Sequence, residues 1–306
     1  MADLDIGVLL PTLSPHNGSP ADVGAAARHA EELGFESIWV VDQLIAGTGI
    51  PVLDSLTSLA AAAAVTDRIR LGVGVLILPL RPVAWIAKQV ASLQHLSGDR
   101  LLLGVGVGGD RHDRSWMAAG VPARERGRRT DDALRLLPDL ISGKPTHLGD
   151  GTPATSPIRL SPPATVPPII IGGMSDAAVR RAATHDGWFL LGASDDIPTH
   201  HARLETLAAA NGRATPPITA NAMVAIHGDP SLPDHTAILH SLSDPDGMFG
   251  IPVEYAESSL AHGDTGSVAE HLNTFAARGA DRVVVTLVAG DWFRQTELLA
   301  QACQQL

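Results

Sequence analysis

The sequence predicts a closed (β/α)8 barrel, a TIM barrel with insertions, that takes up residues 1–306 as one domain. Three observations carry this. Strand and helix patterns alternate about eight times along the chain. The strands are short, unbroken runs of branched apolar residues, as in parallel sheets buried on both faces. The first strand–helix turn, from Leu10 to Pro20, lacks the glycine fingerprint of an open, doubly wound nucleotide-binding sheet.

Each element has its own signal. Strand one is the apolar run Leu4–Pro11, ended by proline. Helix one runs from about Pro20 to Leu33, with Ser19 as N-cap, Pro20 first, Asp22 third and Gly34 as the stop. Its apolar stripe, Val23, Ala26, Ala27, Ala30 and Leu33, has helical spacing. Strand two (Ser37–Val41), helix two (Leu53–Val65), strand three (Ile69–Leu78), helix three (Pro82–Leu96), strand four (Leu101–Val107) and helix four (Arg124–Ile141) follow. An insertion at 143–167, rich in Pro, Gly, Thr and Ser, is expected to form a small hairpin over the Gly149–Gly151 turn. Then come strand five (Pro168–Ile171), helix five (Asp176–Thr184), strand six (Trp188–Leu191), helix six (Pro198–Asn211) and strand seven (Ile218–Ile226). A second insertion, 227–264, is expected to hold one or two short helices. Helix seven (Ser267–Gly279), strand eight (Arg282–Leu287) and helix eight (Trp292–Gln305) complete the order.

Composition narrows the function classes. The formal charge of −11 disfavours binding to nucleic-acid backbones or anionic membranes. A single cysteine, Cys303, forms neither an internal disulfide nor a thiolate metal site. No apolar run is long enough for a membrane span, and the start lacks a positively charged leader, so a cytoplasmic protein is expected.

In a barrel the active site lies at the carboxyl ends of the strands. After strand two stand Asp42 and Gln43, a carboxylate and an amide that can bind polar ligand groups; equally, Asp42 can cap a turn or pair with a basic neighbour. Strand three reads Gly72-Val73-Gly74-Val75-Leu76, and its glycines mark either a bulge against a ligand or crowding inside the barrel. Strand four ends in Gly104-Val105-Gly106-Val107-Gly108-Gly109-Asp110, followed by a charged loop rather than a helix. That favours a backbone platform under a flat ligand over a dinucleotide fingerprint. His112, between Asp110 and Asp113, lacks a second histidine at helical spacing, so no metal site is expected. After strand five, Gly172-Gly173-Met174-Ser175 opens a helix, where glycines and free N–H groups suit a phosphate and Ser175 also suits a cap. Arg124, Arg126, Arg128 and Arg129 either hold anionic groups or form ion pairs along helix four.

These motifs resemble the bacterial-luciferase-like flavin and deazaflavin oxidoreductases. The resemblance rests on Ala30–Gln43, Asp54–Pro79, Arg81–Asp110 with its LSGDRLLLGVGVG core, Pro167–Trp188 with PPIIIGG, and Gly263–Val285. It implies a luciferase-like barrel that binds coenzyme F420 or FMN, with the ring at the strand ends. It implies a cis peptide at Gly74–Val75 behind the ring, so that Gly74, Val75, Leu76, Gly106 and Gly108 contact the cofactor. It places phosphate at Gly172, Gly173, Met174 and Ser175. Family members often carry Asp-His after strand two, where this chain has Asp42-Gln43. A reductase working from reduced F420 on a small organic substrate is the reading this leaves, with Asp42, Gln43, Asp110 and His112 as catalytic candidates. An FMN-dependent monooxygenase supplied by a flavin reductase is the first alternative, and a non-catalytic flavin-binding barrel the second. The resemblance also implies a homodimer.

Overall fold

A computed structural model describes residues 4–13, 22–47, 50–109, 113–148, 156–191, 194–247 and 249–306. Parallel strands β1 (Asp5–Leu9), β2 (Ser37–Val40), β3 (Arg70–Ile77), β4 (Leu101–Gly106), β5 (Ile169–Gly172), β6 (Gly187–Leu190), β7 (Ile218–Ile226) and β9 (Arg282–Leu287) pair in a ring. The ring closes because β6 pairs with β7, β7 with β9, and β9 with β1. Strands β2, β4, β5 and β6 are buried at every residue, as the unbroken apolar runs require.

The outer layer is helical: α1 (Val23–Glu32), α2 (Ser55–Ala63), α3 (Val83–Ser97), α4 (Asp113–Ala118), α5 (Arg126–Ile141), α6 (Asp176–Ala182), α7 (Ile197–Ala210), α8 (His235–Ser243), α9 (Val253–Ser259), α10 (Thr265–Ala277) and α11 (Trp292–Cys303). The main core lies between these helices and the outward faces of the strands. No described helix is long and apolar enough to cross a membrane.

A second core fills the barrel itself. Trp39, Leu102, Ile170, Phe189 and Val284 project inward from five strands. Trp39 donates its indole N–H to Ser37 Oγ at 2.8 Å and meets Phe189 edge-on at 5.4 Å. A Cβ on Gly7 or Gly72 would lie 2.6 Å and 2.2 Å from the Trp39 ring. Two neighbouring strands therefore carry glycine because this indole fills the space between them. Beneath it, Arg282 donates to both Glu36 oxygens at 2.9 and 2.8 Å and to Asp5 at 3.1 Å, tying β9, β2 and β1 together.

The structure revises several boundaries. Asp22 is the N-cap of α1, not its third residue, and accepts from Ala25 N at 3.0 Å; Ser19 and Pro20 lie outside the described residues. Most other elements shift by one to three residues, because a cap and not the last apolar residue sets where a helix starts. Helix α2, for example, starts at Ser55, where Asp54 caps it. The charged stretch after strand four leads into a short helix, α4. The first insertion contains an antiparallel bridge between Thr146 and Ile158, while its expected turn at 149–151 lies outside the described residues. The second insertion holds α8 and α9, and also a strand, β8 (Leu260–Gly263). It pairs with the upper half of β7, Met223–Ile226, above the end of β6.

Candidate active site

The glycines of strands four and five surround one side chain of strand three, Val75. Register between β3 and β4 shifts from Val73↔Leu103 to Leu76↔Val105, leaving Gly74 and Val75 as a bulge. The peptide between these two residues is cis. Val75 enters the barrel, and a Cβ on Gly104, Gly106 or Gly172 would come within 2.9, 2.6 and 2.8 Å of its methyls. Past the bulge, Leu76 turns outward and is fully buried in the helix-facing core, so it does not reach the site. That is a correction to the sequence expectation. A bulge inserts a residue, and the alternation of faces restarts beyond it.

A cavity of about 370 Å³ opens over this bulge at the carboxyl ends of the strands. Gly74, Val75, Gly106, Gly108, Gly172 and Gly173 line it, together with Asp42 and Gln43. Six of the nine expected cofactor contacts are thus brought to one cavity. Gly108 has φ +70° and backs onto Trp116, so a side chain is excluded there on both counts. Met174 and Ser175 sit beyond the rim. Ser175 caps α6, accepting from Ala178 N at 3.3 Å. Asp110 and His112 lie outside the described residues.

Asp42 and Gln43 are neighbours with opposite situations. Asp42 is 4 % exposed. Its Oδ2 accepts from Ile77 N at 2.8 Å and Arg81 Nη1 at 2.7 Å; its Oδ1 accepts from Ser55 Oγ and Arg81 Nη2, both at 2.8 Å. The carboxylate is saturated by protein donors and locks the end of β2 to that of β3. This is the ion-pair reading of Asp42. Burial acts to lower the Arg81 pKa, but the hydrogen bonds and charge of Asp42, with Asp54, hold it above its ordinary value. Gln43 is half-buried at the cavity, and its amide has no hydrogen bond among the described residues. It remains available to a ligand.

Sequence reasoning did not single out Arg81 or Leu191. Arg81 was legible in one respect: a cation between an apolar strand and an apolar helix needs a partner. Leu191, 49 % exposed, forms part of the cavity wall and carried no signal. The arginines of helix four divide as the ion-pair reading expects. Arg128 bonds Glu125 and Asp132, and Arg129 bonds Glu125, all at 3.2–3.3 Å.

A larger cavity, about 990 Å³, opens at the amino ends of the strands. Its titratable groups offer little chemistry. Asp5 and Glu36 are held by Arg282, and burial pushes the Cys303 thiol up to about 12, far from a reactive thiolate.

Fold and site together define the class: a closed parallel (β/α)8 barrel with a glycine-walled cavity over a bulged third strand. The sequence profile of the luciferase-like monooxygenases matches residues 4–243, and the chain belongs to that family. An uncharacterized protein of Mycobacterium tuberculosis is 37% identical over 170 residues, 55% of this chain and 58% of that protein. The match thus spans little more than half of that relative's length. Among solved structures, an F420-dependent secondary alcohol dehydrogenase in complex with an F420–acetone adduct superposes with a TM-score of 0.81. It is 15% identical, and 98% of each chain is covered. The oxygenating constituent of 3,6-diketocamphane monooxygenase from Pseudomonas putida, in complex with FMN, has a TM-score of 0.73. It is 17% identical, with 99% of this chain and 96% of that one covered. At these identities the structural likeness speaks for the fold.

Proposed function

We propose that this protein is an oxidoreductase that binds reduced coenzyme F420 in the cavity over Val75 and delivers hydride to a small organic substrate. The observation that carries the reading is the Val75 bulge of β3 set among glycines of β4 and β5, at the end of the barrel where chemistry occurs in this fold. The residues present fit a planar ring. Gly106, Gly108, Gly172 and Gly173 offer backbone without side chains, so a ring can lie flat, and Val75 supports it from behind. The turn Gly172–Ser175 takes the phosphate.

When bound, the reduced deazaflavin supplies the hydride. The protein positions it. Asp42 and Arg81 hold the strand ends in register around the cavity, Val75 closes the rear of the ring, and Leu191 on the cavity wall keeps water from the reacting face. Gln43, whose amide has no hydrogen bond among the described residues, orients a polar group. An amide neither takes up nor gives a proton at neutral pH, so Gln43 is neither base nor acid, and the proton that accompanies the hydride comes from another group or from water.

A second reading, an FMN-dependent monooxygenase fed by a flavin reductase, is favoured by the family's own description. Parallel fluorescence titrations with oxidised F420 and with FMN, at equal ionic strength, separate the two. Tighter F420 binding is expected. Tighter FMN binding would move the chemistry to oxygen, and binding of neither would sink both readings. The same proposal carries a homodimer, for which Trp85 and Leu96 on α3, 68% and 64% exposed, supply apolar surface; sedimentation at micromolar protein tests it.

A further inference from the structure

Strand β6 ends at Leu190 and pairs only with the lower part of β7, Ile218–Ala220. Strand β8 does not begin until Leu260, opposite Met223. Between them the barrel wall has a gap one or two residues high along β7. A cavity of about 180 Å³ occupies it, room for roughly six waters at ~30 Å³ each. It is floored by Asn221 and Met223 and roofed by the second insertion through Phe249, Ile251 and Tyr255. Leu191 lines both this cavity and the one over Val75, so the two are neighbours.

The polar atoms here are unusual. Among the described residues, four buried side-chain N or O atoms lack a hydrogen-bond partner, and two of them, Ser259 Oγ and His271 Nε2, belong to residues lining this cavity. An unsatisfied buried polar atom costs about 1–3 kcal/mol, so a pair at one cavity points to a partner that arrives from outside. Asn221, by contrast, is already engaged, donating to Val284 O and Thr286 Oγ1 at 3.0 Å. No Arg, Lys, Asp or Glu is among the described lining residues. Burial, with the Arg278 charge, lowers the His271 pKa, so its imidazole is neutral near pH 7.

We infer that this gap is the substrate pocket, and that it takes a compact, uncharged, mostly apolar molecule with one oxygen function held by Ser259 Oγ and His271 Nε2. Phe249, Ile251, Tyr255 and Met223 enclose its hydrocarbon part. The inference rests on the proposed function, because adjacency to the ring cavity is what makes the pocket a substrate site. It adds the substrate class: a small neutral carbonyl compound or alcohol, not a carboxylate or a phosphate ester.

The test uses the full chain saturated with oxidised F420 and, separately, without it. Saturation-transfer NMR and calorimetry follow 2-cyclohexenone as the probe, with cyclohexanecarboxylate as the charged control. Cyclohexenone is expected to bind in both states, and the carboxylate at least about tenfold more weakly, since no Arg or Lys is among the described lining residues and the nearby Arg278 is already paired with Asp195. Ser259→Ala is expected to weaken cyclohexenone about fivefold, the loss of one neutral hydrogen bond. His271→Phe removes Nε2 and fills the space, and should abolish binding. Both variants should keep F420 affinity within about twofold and a wild-type melting curve. Cyclohexenone binding that ignores both substitutions, or that F420 competes away, overturns the inference, as does F420 binding with no cyclohexenone binding. Loss of F420 and FMN binding with cyclohexenone still sensitive to Ser259→Ala would instead remove the proposed cofactor and leave the pocket standing.

Discussion

Arg81 closes a fork on Asp42, its two terminal nitrogens 2.7 and 2.8 Å from the two carboxylate oxygens across 39 residues of chain. The pair joins the ends of β2 and β3 beside the bulge that carries Val75. Its side chains are unequally exposed, Asp42 at 1 % and Arg81 at 21 %. Removing one member of a buried pair costs about 3–5 kcal/mol, and the partial exposure of Arg81 sets the lower end. Asp42→Ala is therefore expected to lose about 3 kcal/mol in urea unfolding. Ser55→Ala, which removes a single donor from the same carboxylate, should lose only about 1 kcal/mol.

Gln43→Leu should behave differently. The amide has no described protein partner, so stability should stay within about 0.5 kcal/mol of wild type by the same denaturation. Cofactor or substrate affinity should fall by about fivefold, the worth of one neutral hydrogen bond, in the fluorescence titration. An unchanged affinity would remove Gln43 from the site.

The glycines around Val75 are separable by double substitution. Gly106→Ala should destabilise by about 1–3 kcal/mol through overpacking. Val75→Ala in the same chain should restore most of it, because the clash is with a Val75 methyl at 2.6 Å. Gly104→Ala should not be rescued, because there a Cβ meets the Val73 carbonyl oxygen at 2.0 Å and backbone cannot yield. Thermal unfolding of the single and double variants decides this.

Two histidines make the protein less stable in mild acid. The pKa of His262 is lowered by burial and by His227 and His235, whose rings stand 4.5 and 4.8 Å away; that of His271 is lowered by burial and Arg278. The unfolded chain binds protons at these positions near the ordinary value of 6.5, before the folded chain does. Stability should thus be level above pH 6.5 and fall as pH drops through it. Melting temperature between pH 7.5 and 5.5 should show the decline, and His262→Asn should flatten part of it.

Much of the fold was legible because strand and helix signals are local. Strands β7 and β9 begin and end where their apolar runs do, at Ile218–Ile226 and Arg282–Leu287. Strand β8 was not legible. Leu-Ala-His-Gly has no periodicity, and it becomes a strand only because β7 rises past the end of β6 and offers an open edge. Boundaries moved where a capping side chain competes with an apolar pattern, as at Asp22.

By itself, the sequence determined the order of the barrel, the strand ends where a site must lie, and the positions without side chains, because periodicity and glycine are properties of neighbouring residues. Tertiary structure alone decided what those positions face. Gly72 gives way to Trp39 from β2, whereas Gly106 and Gly172 give way to Val75 from β3. It also decided that Asp42 meets Arg81 while Gln43 has no partner among the described residues, and that Ser259 and His271 share a gap in the wall. Such partners lie from 12 to 97 residues apart, and only closure of the barrel selects among the donors and side chains the chain contains.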